Sequence, residues 1–219
     1  MKSRTRGFTL VEIAIVLVII GLLLGGILKG QEMITQAKIK NVMSDFSGIS
    51  AAYHGYQDRY RAIPGDDPNA LSRWAAPTVQ GDGNGQVSGT YNFGCSVPGT
   101  TVGTNEACFF WDHLRRAGFV SGSGTMQPFN ALTGLIGVQT GNGASATALG
   151  GFSGLIICSA NLPDKIAIAV DTSMDDGQIA SGTVRGDLQA GPNPVIPSAA
   201  PATNYAENGS NTYVLCRAF

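Results

Sequence analysis

Glu12 is the residue best placed to do chemistry. It is the one ionisable side chain in the apolar run at residues 8–28, FTLVEIAIVLVIIGLLLGGIL. A carboxylate in hydrocarbon costs about 3 kcal/mol even on lenient insertion scales, so it needs a partner or a function. No cation lies within the run. A cut between Gly7 and Phe8 would supply one, because the new α-ammonium of Phe8 would stand four residues upstream of Glu12, near the same depth in a packed bundle. Neighbouring chains could then pair Phe8 nitrogen with Glu12 oxygen.

Two further groups carry donor atoms. Asp82 and Asn84 in Gly81-Asp82-Gly83-Asn84-Gly85-Gln86 place oxygens at alternate positions, as in the first half of a calcium loop, without the closing bidentate Glu. Asp171, Asp175 and Asp176 could add oxygens if they fold nearby, so a structural calcium ion is one reading and a plain turn the other. No cofactor is otherwise required. Cys95, Cys108, Cys158 and Cys216 show no metal-ligand spacing. An even count behind an export-type N-terminus suggests two disulfides formed in an oxidising compartment. Three pairings are open. Cys95–Cys108 and Cys158–Cys216 are favoured, since the first brackets a short loop and the second ties down the C-terminal tail; buried free thiols are the alternative. Catalysis finds no support: His54 and His113 are the only histidines, His54 rides on a helix, His113 reads as exposed or capping, and Asp66 and Asp67 alone are no evidence of acid–base work. A non-enzymatic role is expected.

The elements that position these residues begin with a helix. Residues 8–28 are long enough to span a bilayer, and Lys2, Arg4 and Arg6 ahead of them place the N-terminus on the cytoplasmic side. A secretory signal peptide fits badly: the run is too long, carries a carboxylate and lacks a small-residue cleavage box. Beyond it, Ile39, Val42, Phe46, Ile49, Tyr53, Tyr56 and Tyr60 recur at steps of three and four, and no Pro precedes Pro64, so the helix is expected to continue to about Arg61 with one face covered. The tyrosine series reads as core packing rather than a recognition stripe.

Pro64 opens a Gly-rich remainder with short apolar segments. Strands are expected at 86–93, 132–139, 152–159 and 212–216, and a helix at 105–117 stopped by Gly118. In residues 162–170, Leu162, Ile166, Ala169 and Val170 suit a helix while Ile166, Ile168 and Val170 suit a strand; a short helix is favoured, with Asn161 as its cap and Pro163 in its first turn. Residues 187–211, with four prolines, read as a displayed loop. The fold class is α+β: a long helix packed on a small antiparallel sheet. Charged residues are 13% of the 219, against the ~25% usual for soluble domains, and glycine contributes 30. The net charge of -1 becomes more acidic once Lys2, Arg4 and Arg6 are removed, which gives nothing to attract nucleic acid.

Lys2 to Gly7 followed by Phe8-Thr9-Leu10-Val11-Glu12 resembles the class III leader and processing site of type IV prepilins and type II secretion pseudopilins. The resemblance is specific over residues 1 to about 30. It implies a pilin-like lollipop divided as follows: leader 1–7, removed; transmembrane and filament-core helix 8–28; amphipathic continuation 29–62; and globular β domain 63–219. It implies that prepilin peptidase cuts after Gly7 and methylates Phe8, and that Glu12 serves methylation and docking. The partners would be other copies in a helical filament, an assembly ATPase and a platform protein. The chain would sit in the inner membrane before assembly and in a periplasmic or extracellular filament after it. A type IV pilus subunit for adhesion or motility is the leading role, a secretion or DNA-uptake pseudopilin the alternative, and a membrane-tethered binding module that never polymerises the reading from another class. Many pilins carry a proline partway along this helix; here Gly21, Gly25, Gly26 and Gly30 are the only weak points.

Overall fold

The computed structural model describes residues 9–74, 79–95, 105–141, 148–152 and 154–219. The first element, α1 (Leu10–Tyr60), is continuous through Gly21, Gly25, Gly26 and Gly30. Its continuity follows from the absence of proline. It ends at Arg61, whose φ of 54° takes the chain out of the helix while its N–H still donates to Gln57 O at 2.8 Å. The chain forms two compact units, Met1–Lys38 and Ile39–Phe219.

In the first unit the helix is apolar and bare. From Leu10 to Ile34 its large hydrophobic side chains are exposed, Leu10 at 90% and Ile34 still at 59%. The bare surface thus passes Leu28, where the apolar run ends in the sequence, and an exposed Lys29–Glu32 ion pair at 2.8 Å sits within it. It is the one helix among the described residues long and apolar enough to cross a membrane.

The second unit buries Ile39, Val42, Phe46, Ile49, Ala52, Tyr53 and Tyr56 of α1. After α1 come α2 (Ala70–Arg73), α3 (Glu106–Arg116), β1 (Ile136–Thr140), β2 (Leu155–Pro163), α4 (Asp164–Met174), β3 (Val184–Leu188) and β4 (Thr212–Ala218), with a 3-10 turn at Ala148–Gly150. The strands form one antiparallel sheet in the order β1-β2-β4-β3. Alternation along β2 builds two cores: Leu155 and Ile157 join the helices, while Ile156, Cys158 and Ala160 join Tyr91, Leu149, Phe152 and Ile196. The α+β layout of a long helix and a small antiparallel sheet is therefore present.

Several local expectations are corrected. Residues 86–93 form no strand. Val87 does exchange bonds with Thr140 on the edge of β1, but Gly89 at φ 97° breaks the ladder before Tyr91 turns inward. The strand expected from 132 starts at Ile136, because Asn130 Oδ1 accepts from Leu132 N and Gly134 N and holds that stretch as a turn. Asn161 does not cap α4. It sits at φ 57° in an irregularity of β2, and the helix opens at Asp164 after Pro163. Strand β3 was not expected, and it claims the first residues of the 187–211 loop.

Candidate functional site

Gly7 and Phe8 lie outside the described residues. Immediately after them, Thr9 and Glu12 close a reciprocal capping box at the start of α1. Glu12 Oε2 accepts from Thr9 N and from Thr9 Oγ1, each at 2.8 Å, and Glu12 N donates to Thr9 Oγ1 at 3.3 Å. The carboxylate is thus supplied with two donors by its own helix, which offsets part of the cost of holding it among apolar side chains. The Thr-x-x-Glu spacing was readable in the sequence; Thr9 is a residue the motif argument passed over. Around Glu12, Val11, Ala14, Ile15, Val18 and Ile19 line an open apolar groove of about 310 Å³. The groove has room for side chains of a packed helix.

The cysteines pair as Cys95–Cys108 and Cys158–Cys216. The second bridge joins directly opposed residues of β2 and β4, both fully buried.

The oxygen-bearing residues fall into two groups rather than one. Asp82 gathers with Asp66 and Glu106, and Asp171 with Asp175 and Asp176, one carboxylate oxygen of each within 4.8 Å of the others in its group. They divide because the 81–88 loop is stitched to residues before α2 and on α3. Asp66 accepts from Gly83 N, Asn84 N and Gly85 N, while Glu106 accepts from Asp82 N at 3.0 Å and Ser88 N at 2.9 Å. In the other group Asp171 accepts from Tyr205 Oη at 2.6 Å and Gly177 N at 3.2 Å, and Asp175 from Val184 N. In both groups carboxylate oxygens accept from N–H and O–H donors, so the carboxylates clasp their loops. Burial pushes both Asp66 and Asp171 up to about 6; nearby Glu106 adds to the effect on Asp66, and Asp176 and Asp175 to that on Asp171.

His113 is fully buried, which corrects its reading as exposed or capping. Its Nδ1 accepts from Gly65 N at 2.9 Å, which leaves Nε2–H to donate to Val79 O at 2.7 Å. Burial holds its pKa below the usual histidine value. The ring also stacks on Tyr56, whose hydroxyl donates to Asp67 at 2.6 Å, while Arg73 pairs with the same carboxylate. His54 is exposed on α1. These groups fasten α1 and α3 to the loops between them.

Residues 2–28 match the family model of the prokaryotic N-terminal methylation motif, the class III signal peptide of type IV pilin and pseudopilin precursors. No curated protein and no solved structure matches the chain.

Proposed function

We propose that this chain, which carries a prepilin-type methylation motif, is a structural subunit of a type IV pilus-like filament with a surface role in adhesion or motility. The supporting observation is the conjunction at one helix end: an N-terminal methylation motif over residues 2–28, a carboxylate at Glu12, and apolar side chains bare from Leu10 to Ile34. A bare apolar helix is stable in lipid and in a bundle of like helices, but not in water. Between lipid and bundle the hydrophobic effect is nearly neutral, so fit and polar pairing decide.

The step from membrane to filament is then an exchange. In the single helix Thr9 satisfies Glu12. After cleavage and methylation, the Phe8 ammonium of a neighbour offers a full positive charge, and the Coulomb attraction between two opposite charges away from water adds to the hydrogen bond, which the neutral amide and hydroxyl of Thr9 cannot supply. Leaving the bilayer is uphill, so an assembly ATPase and a platform protein supply the work. The domain of Ile39–Phe219, held by two disulfides, forms the outward surface of the filament.

The test compares Gly7→Ala and Glu12→Ala with wild type in cells that assemble the filament. Both variants should accumulate in the membrane with no sheared surface filaments. Normal filaments from Glu12→Ala would overturn the pairing, and an unprocessed chain that still performs its role at the membrane would favour a tethered module instead.

A further inference from the structure

An Asn-Gly pair is prone to deamidation because glycine, with no side chain, lets its nitrogen approach the Asn side-chain carbonyl carbon. The described residues contain two, Asn84-Gly85 and Asn208-Gly209, both exposed on loops. The two loops share no residue, yet each uses the same arrangement. Gly85 N donates to Asp66 Oδ2 and Gly209 N to Asp164 Oδ2, each at 2.7 Å. Both carboxylates belong to residues only 3% exposed. On the other side, Asn84 Oδ1 is held by Gln86 N at 2.7 Å, and Asn208 Oδ1 by Ser210 N and Asn211 N, each at 3.0 Å.

The chemistry makes that arrangement consequential. For deamidation the glycine nitrogen must give up its proton and bond to Asn Cγ; the Cγ–Nδ2 bond breaks and ammonia leaves carrying the proton. Water then opens the succinimide at either carbonyl, giving aspartate or isoaspartate. A carboxylate at hydrogen-bond distance retains the proton on nitrogen and repels the amide anion that would attack. The bonds to Asn Oδ1 hold the side-chain carbonyl on amides further along the chain.

We propose that Asn84 and Asn208 are latent deamidation sites, kept closed by the buried carboxylates of Asp66 and Asp164. Opening either loop releases the reaction and adds a negative charge, with an extra backbone carbon in the isoaspartyl product. The inference stands whether or not the chain builds a filament.

The experiment incubates detergent-purified full-length protein at mildly alkaline pH and follows both Asn-Gly peptides by mass mapping. Asp164→Ala should speed conversion at Asn208 by about tenfold or more, the rate equivalent of one lost charge-assisted hydrogen bond, and leave Asn84 unchanged. Asp66→Ala should do the reverse. Asp164→Asn, which keeps an acceptor oxygen without its charge, should fall between wild type and Asp164→Ala. Unchanged rates at the paired site, or equal acceleration at both sites in each variant, would overturn the proposal, the second because it reports general opening of the fold. Peptides covering 82–87 and 206–211 should convert more than about tenfold faster than the same sites in the wild-type protein, again the equivalent of one such bond. Equal rates would overturn it as well.

Discussion

Removing the two disulfides one at a time should cost unequally, and the structure says by how much. Cys158 and Cys216 are 58 residues apart, Cys95 and Cys108 only 13. On the chain-entropy account those loops are worth about 4 and about 3 kcal/mol. Packing widens the gap. Cys158 and Cys216 are fully buried in the core between the sheet and its outer cover, so alanine there removes two sulfurs from a closed site, about 1 kcal/mol more. Cys95 and Cys108 sit in a small satellite cluster with Val79 and Phe109, 7% and 5% exposed, where neighbours can relax. The double alanine variant of the 158–216 pair should therefore lose about 2 kcal/mol more than that of the 95–108 pair, a large part of the 5–15 kcal/mol typical of a domain. Urea unfolding of the detergent-solubilised chain, followed by circular dichroism, reads the difference directly. An equal or smaller loss for the 158–216 variant would refute both the loop-length reasoning and the packing term.

Asp171 should make stability pH-dependent. Its folded pKa of about 6 lies above the ordinary 3.8, so its contribution is fully present below about 3.8 and is lost as pH rises through about 6. Asp171→Asn should accordingly gain on wild type by about 1 kcal/mol as pH rises from about 5 to about 7 in paired unfolding curves, and a flat difference would contradict this. His113 has the opposite sign: its depressed pKa means stability falls as pH drops below about 6.5. His113→Leu strands the Gly65 donor and the Val79 acceptor and should cost about 2–4 kcal/mol in the same assay. Thr9→Val removes the hydroxyl that helps to satisfy Glu12 in the single helix but keeps the carboxylate, so it should raise the yield of sheared filament, whereas Glu12→Ala abolishes it. A yield below wild type for Thr9→Val would contradict the exchange.

The long helix was legible because its two signals are local: a charge-poor run, then apolar residues at steps of three and four with no proline. The antiparallel sheet as a class was legible too, but not all of its strands. In β3, Val-Arg-Gly-Asp-Leu, a central glycine and two charged residues mask the alternation that burial alone reveals. His113 was misread for a related reason. Every residue of α3 from Glu106 to Leu114 is buried, so there is no polar face against which to judge the histidine. The partners of Asp82 were out of reach because Asp66 and Glu106 lie 16 and 24 positions away, and nothing in a single sequence links such positions. Thr9, by contrast, could have been found from its spacing to Glu12.

The central claim is that the chain is cut after Gly7 and carried into a filament. Mass spectrometry of the N-terminal peptide, taken from a sheared surface fraction of cells that make the protein, tests it most directly. The account predicts a chain beginning at N-methylated Phe8 in that fraction. An intact N-terminus beginning at Met1, confined to the membrane and absent from the sheared material, would contradict it.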